Sequence, residues 1–243
     1  MPLDDQIYPA QVWTIQELEG SYTIVGRGAN RVLEGYEDLL NLFICTAPNI
    51  RLKRVEEGYG VPAAQAEKLL DQNIFLIGFM GCGKSTVADF LNRELSMEVI
   101  EMDQIIAQRQ GMSISDIFET YGEQYFRDLE TNLLIEMQSR SNVVISCGGG
   151  TPMRECNVVE MKKNGRVVLL TAKPETILDR VKNNHDRPLI ENNKTVPFIA
   201  DLMEKRRAKY EAAADIIIET DGKNELEICE ELVHRLRTMD EEK

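Results

Sequence analysis

The chain has 243 residues, 43% of them hydrophobic, and a formal net charge of −13 at pH 7. That hydrophobic share separates it from a disordered chain, and the length allows one large domain or one ordinary domain plus an extra segment. So acidic a composition excludes broad electrostatic binding to nucleic acid or anionic membrane, so an anionic ligand has to be caught by a local cluster of donors. No apolar run approaches the roughly 20 residues that span a bilayer. The N-terminus shows no basic-then-apolar leader. Five cysteines (Cys45, Cys82, Cys147, Cys156 and Cys229) are scattered without CxxC spacing. The expectation is a cytoplasmic protein with reduced thiols and no nucleic-acid or membrane partner. His185 and His234 lie far from other ligand-like residues, so a zinc site is not expected.

In chain order, the first 72 residues already alternate. "AQVWTIQELEG" reads as a helix, "YTIVG" as a strand, "NRVLEGYEDL" as a helix and "LNLFICTA" as a strand. Helices over "NIRLKRVEEGYG" and "PAAQAEKLLDQ" follow. This segment has two strands and no phosphate-binding loop of its own.

From Asn73 the alternation becomes regular. Asn73 to Ile77 is a nearly all-apolar strand, as suits a parallel sheet covered on both faces. Val87, Phe90, Leu91 and Leu95 fall on one helical face. Met97 to Asp103 reads as a second strand, and "SISDIFETYG" and "EQYFRDLETNLLIEMQSR" as two helices hinged at Gly122. "NVVISC" is a strand running into Gly148, Gly149 and Gly150, and "RVVLLTA" is another strand, followed by the helix "PETILDRVKNN". "HDRPLIENNKTVPF" is loop-like, with Pro188 and Pro197 as breakers. The helix "IADLMEKRRAKYEAAA", the strand "DIIIET" and a last helix capped by Asn224, with Glu227 three residues on, complete the chain. Strands and helices in this order imply βαβ crossovers and a three-layer α/β/α domain around a parallel sheet.

Gly78-Phe79-Met80-Gly81-Cys82-Gly83-Lys84-Ser85 fits G-x-x-x-x-G-K-[ST] between a strand and a helix. The glycines let backbone N–H groups close on phosphates, and the helix N-terminus adds positive potential. Gly81, Cys82, Gly83, Lys84, Ser85 and Thr86 are the expected nucleotide contacts. Lys84 reaches the β- and γ-phosphates, and Ser85 ligates Mg²⁺. A nucleoside triphosphate is therefore expected; the motif does not name the acceptor.

Glu101 and Asp103 stand at the C-terminal end of the second strand, two residues apart and so on one face. One could order Mg²⁺ through water while the other accepts a hydroxyl proton; Asp103 could equally cap the next helix. Gly148 to Gly150 suit either a ligand approach or a tight turn. Arg127, Arg206 and Arg207 taken singly read as exposed helix charges. Arg187, before Pro188, suits a mobile lid.

Taken together, "GFMGCGKST", "EMDQIIAQRQGMSISDIFETYGEQYFRDLE", "SCGGG", "RPL" and "LMEKRRAKY" resemble the shikimate kinase family from Asn73 to about Leu236. The resemblance implies a P-loop NTPase-type fold over residues 73–243. It also implies Mg²⁺-ATP as phosphoryl donor and shikimate, phosphorylated to shikimate 3-phosphate, as acceptor. It implies that Asp103 binds the shikimate hydroxyls and is the base, and that Arg127 and Arg206 grip the carboxylate. Glu130 then supports Arg127, and Gly149 and Gly150 line the pocket through backbone N–H groups. Arg187 closes over the phosphates, Arg180 lies near the adenine, and Glu101 reaches the metal through water. Glu101 departs from the family's usual Asp-x-Asp, so its longer arm shifts the metal-water geometry.

From about Gln11 to Gln72, the first 72 residues resemble an internal piece of a cytidylate kinase-like domain, carried by "SYTIVGRGANRVL" and "NLFICTAPNIRLKRVEEGYGVPAAQAEKLL". This small α/β segment lacks the phosphate-loop strand, so it is expected to be a truncated, non-catalytic piece. It is expected to pack against the kinase domain or to mediate self-association. Cys82, at a helix start, is expected to be alkylated more slowly in the presence of ATP, and Cys147 to be a small buried filler.

Overall fold

The computed structural model describes residues 72–95, 97–182 and 193–241. The elements expected in residues 1–71, and the lid with Arg187 and Pro188, lie outside these described residues. Among the described residues, five strands and seven α-helices alternate. The strands are β1 (Asn73–Ile77), β2 (Glu98–Glu101), β3 (Val143–Ser146), β4 (Gly165–Thr171) and β5 (Ile216–Glu219). They pair in the order β2-β3-β1-β4-β5, all parallel. In register, Ile74 faces Val144 on one side and Arg166 on the other.

The helices are α1 (Lys84–Leu95), α2 (Met102–Gln110), α3 (Ile114–Glu136), α4 (Glu155–Asn164), α5 (Pro174–Val181), α6 (Val196–Ala213) and α7 (Glu225–Glu241). The nearly all-apolar β1 shows why the sheet needs cover on both sides. Its Ile74 and Leu76 enter a core with Val87, Leu91 and Leu95 of α1 and Leu232 of α7. Phe75 and Ile77 point the other way, among Leu133 and Leu134 of α3 and Met161 of α4. The result is three layers, with the carboxyl ends of β1, β2 and β3 opening on one edge, where open α/β sheets bind ligands.

Local signals fix the helix ends. Ser113 and Asp116 form a capping box at the start of α3, and Asn224 and Glu227 exchange the reciprocal bonds expected before α7. The hinge at Gly122 is present as a kink inside α3, with φ 84° and ψ 166°.

Three expectations are corrected. The second strand ends at Glu101, not Asp103, and α2 begins at Met102. Met102 and Ile106, four residues apart, bury one face of that helix, and Gly111 ends it in the αL conformation with its N–H turned back to Ala107 O and Gln108 O. Glu101 and Asp103 are therefore not alternate residues of a strand. Asp103 is not the cap either: Glu101 holds that position, without a side-chain capping bond. Pro197 opens α6 instead of breaking it, since the first turn of a helix has no use for the missing N–H. Helix α4 gave no clear signal because its buried face carries Asn157 as well as Met161.

Candidate active site

A cleft of about 1260 Å³ lies along the carboxyl edge of the sheet. Its lining includes the phosphate loop from Gly81 to Thr86, together with Glu101, Asp103, Ser146, Gly149 and Arg180. The loop's path demands glycine at two points. Gly78 has φ +138°, and a Cβ there would sit 2.3 Å from the Leu170 carbonyl oxygen. Gly81 has φ +77°, and a Cβ would meet Val181 Cγ1 at 2.8 Å. Lys84 stands at the start of α1, with its ammonium donating to the carbonyls of Gly78 (3.0 Å) and Phe79 (3.2 Å). Arg180 Nη1 ties the loop to the end of β5, donating to Gly81 O at 3.0 Å and Thr220 Oγ1 at 3.3 Å. Cys82 contributes backbone to the cleft while its thiol is buried, 4.0 Å from Lys84 Nζ.

Glu101 ends β2 beside the loop. Burial raises its pKa, against the hydrogen bonds of the Ser146 and Ser85 hydroxyls and the nearby Lys84 charge. Asp103, in the first turn of α2, has its Oδ1 buried and without a hydrogen-bond partner. An unpaired buried acceptor is costly, and at the edge of a cleft a ligand's donor can satisfy it. Gly148 makes room for it, since a Cβ there would lie 2.8 Å from Asp103 Oδ1 and 2.6 Å from Glu130 Oε1.

Arg127 is not an exposed helix charge. Its side chain is 12% exposed and lies between Glu130 Oε2, at 2.8 Å from Nη1, and Glu123 Oε1, at 2.8 Å from Nη2. The guanidinium carbon lies 5.4 Å from the Phe126 ring centre and 5.8 Å from that of Phe118. Burial works against the Arg127 charge, but Glu130 and Glu123 outweigh it and raise the pKa. Glu130 is fully buried. Burial lifts its carboxyl above the usual range, although Arg127 and the Thr151 hydroxyl pull the other way.

On α6, Arg206 Nη1 donates to Gly149 O at 3.3 Å, and the Tyr210 hydroxyl donates to the same oxygen at 2.6 Å. Burial pushes the Tyr210 phenol up to about 12, so it stays a donor. Gly150 packs directly under the Arg127 guanidinium. Two arginines from different helices thus meet over adjacent glycines, giving an acidic chain a local site for a planar anion. Arg207, by contrast, is a surface charge paired with Glu204.

Of the residues singled out for chemistry, Gly81 to Thr86, Glu101, Asp103, Gly149 and Arg180 line the cleft; Arg127, Glu130, Gly150 and Arg206 join it through contacts at Gly148, Gly149 and Gly150, and Arg187 lies outside the described residues. Reading the sequence missed three supporting residues: Ser146, Thr151 and Tyr210. Tyr210 stands four residues after Arg206, on the same helical face, and that spacing was a usable signal. Cys147 is buried, and burial drives its thiol pKa far upward, as suits a filler.

Among the described residues no cluster of three His, Cys, Asp or Glu side chains could cage a metal. The hard oxygens of Ser85 and Glu101, side by side at the phosphate loop, fit nucleotide-borne Mg²⁺, which uses few protein ligands. Among the described residues, no helix is long and apolar enough to cross a membrane.

Comparison with known proteins agrees with this geometry. The model of the shikimate kinase family matches residues 80–237, and that of the cytidylate kinase-like family matches residues 1–73. Shikimate kinase of Persephonella marina is 42% identical over 166 residues, 68% of this chain and 99% of that protein. The enzyme of Geobacter sulfurreducens is also 42% identical, over 68% of this chain and 91% of its own. Among solved structures, shikimate kinase from Acinetobacter baumannii in complex with shikimate superposes with a TM-score of 0.66 at 31% identity, covering 74% of this chain and 99% of that one. Shikimate kinase from Aquifex aeolicus gives 0.61 at 37% identity, covering 69% and 98%. With its parallel sheet, its phosphate loop and these matches, the chain belongs to the shikimate kinase family.

Proposed function

We propose that this chain transfers the γ-phosphoryl group of ATP to a hydroxyl of shikimate, giving shikimate 3-phosphate for aromatic amino acid synthesis. The observation that carries the reading is the unpartnered, buried Oδ1 of Asp103, a residue that lines the cleft together with the phosphate loop. In this account Arg127 and Arg206 hold the acceptor's carboxylate, which sets its ring against the phosphate loop. Asp103 accepts the proton of the attacking hydroxyl as that oxygen bonds to the γ-phosphorus and the bond to the ADP oxygen breaks. Lys84 and the loop N–H groups stabilise the charge on the transferring group. Ser85 would hold Mg²⁺ directly and Glu101 through water, and the ion supplies further charge neutralisation at the phosphates. Arg180 flanks the adenine, and Arg187 closes from the lid over the phosphates, as the family resemblance implies. The reaction belongs in the cytoplasm; Cys82, Cys147 and Cys156, which form no disulfide, support that placement.

Coupled ADP release from the full chain with Mg-ATP tests the reading, with shikimate and CMP as parallel acceptors. Shikimate-dependent turnover is the expected result. Turnover with CMP alone would overturn it.

Gly150→Ala isolates the carboxylate clamp. Gly150 has φ −97° and ψ −14°, a conformation that alanine adopts freely. Its Cβ, however, would lie 2.3–2.5 Å from the Arg127 guanidinium. The side chain's free end moves, so the fold survives and the clamp does not. The expected result is a rise of about 10-fold or more in KM for shikimate, as for one lost charge-assisted contact, with KM for ATP unchanged. An unchanged KM for shikimate would remove Arg127 from the acceptor site.

Residues 1–72 we read as a truncated, non-catalytic cytidylate kinase-like segment that mediates self-association, and residues 73–243 as the kinase domain. The family match over 1–73 and the lack of a G-x-x-x-x-G-K run before Gly78 support this. Removing residues 1–72 is expected to lower the solution mass to that of a monomer while shikimate kinase activity persists. An unchanged number of subunits would contradict the association role.

A further inference from the structure

We propose that Thr151 is a positioning residue for the acceptor clamp: its hydroxyl holds Glu130 in the one orientation that keeps the Arg127 guanidinium over Gly150. The inference rests on the reading of Arg127 as the carboxylate clamp. Thr151 and Glu130 are both fully buried. The Thr151 hydroxyl donates to Glu130 Oε1, while Arg127 Nη1 donates to Oε2 at 2.8 Å. The carboxylate thus has one oxygen for the anchor and one for the clamp.

The anchor is itself fixed. Asn157, also fully buried, donates from Nδ2 to Thr151 O at 2.9 Å, and its Oδ1 lies 2.7 Å from Thr131 Oγ1. Thr131 stands one turn after Arg127 on α3, with its Oγ1 3.0 Å from Arg127 O. The chain of contacts therefore closes on the helix that carries the clamp, and each member has a defined partner.

The alternatives open to Arg127 explain why the anchor matters. Its second carboxylate, Glu123, is 61% exposed and faces solvent. Glu130 Oε1 and Asp103 Oδ1 also crowd the same point, at 2.6 and 2.8 Å from a Cβ built on Gly148. Without the hydroxyl, Glu130 Oε1 becomes a buried acceptor with no donor beside a second carboxylate. Glu130 then turns away from Oε2–Arg127 pairing, and the guanidinium follows Glu123 outward.

Steady-state kinetics of Thr151→Val and Thr151→Ser in the full chain test this. Valine keeps the shape and removes the donor; serine keeps the donor. Thr151→Val is expected to raise KM for shikimate by about 10-fold, with kcat and KM for ATP within about 2-fold of the parent, and Thr151→Ser to restore the parent KM. Should the valine variant not fold, Thr151→Ala carries the same comparison. Equal changes in the valine and serine variants, a parallel loss of kcat and of ATP affinity, or an unchanged KM for shikimate would each overturn the proposal. Absence of shikimate turnover in the parent chain would instead refute the proposed function on which it stands.

Discussion

Asp103→Asn is expected to bind Mg-ATP and shikimate almost as the parent chain does and to turn over about 10³-fold more slowly, within the range that a positioned general base supplies. The physical case has two parts. Asp103 Oδ1 is buried at the cleft without a donor of its own, so a substrate hydroxyl completes its hydrogen bonding when it arrives. Asparagine matches the shape and still accepts that bond at its carbonyl oxygen, but it cannot take the proton. Asp103 also lies in the first turn of α2, which fixes its carboxylate at the cleft edge beside the phosphate loop. Single-turnover rates beside equilibrium binding of shikimate separate the two effects. A variant that binds and turns over like the parent would remove Asp103 from the chemistry. One that loses binding and rate together would make it a binding group only.

Lys84→Met is expected to lower kcat by about 10²–10³-fold, the range for removing one preorganised donor from a developing charge. Lys84 Nζ lies among the loop carbonyls of Gly78 and Phe79, at 3.0 and 3.2 Å, at the head of α1 where phosphates bind. Methionine keeps the length and apolar stem without the charge. The backbone path of the loop depends on Gly78 and Gly81, not on this side chain, so the melting temperature should move by only a few degrees. The loss should fall on catalysis for every acceptor, whereas Asp103→Asn should leave slow ATP hydrolysis by water in place. Parent-like turnover in the methionine variant would contradict the role of the loop lysine.

The physics of particular residues explains what could be read before the fold was seen. The phosphate loop declares itself because backbone N–H groups and close phosphate approach require glycine at fixed spacings between a strand and a helix. The sheet was legible for a similar reason: Asn73 to Ile77, buried along its whole length, leaves no polar face to turn outward. The boundary at Glu101 was not legible, because "MEVIEMD" interleaves apolar and acidic residues to its end, and burial of both Met102 and Ile106 suits a strand as well as the helix that forms there. Arg127 in isolation looks like any helix charge. Its role depends on Glu130, Gly150 and two phenylalanine rings, contacts that span up to 23 positions and that only the fold brings together. The resemblance to a family supplied what single residues could not. Thr151 escaped even that, since a hydroxyl after three glycines carries no signal until its partner is known.

The central claim is that the carboxyl edge of this sheet passes a phosphoryl group from ATP to shikimate. Phosphorus NMR of the full chain incubated with Mg-ATP and shikimate tests it most directly. The account predicts a phosphate monoester on shikimate that grows in step with ADP, and no such signal from Asp103→Asn on the same time scale. ADP appearing with inorganic phosphate alone, at the same rate with or without shikimate, would contradict it.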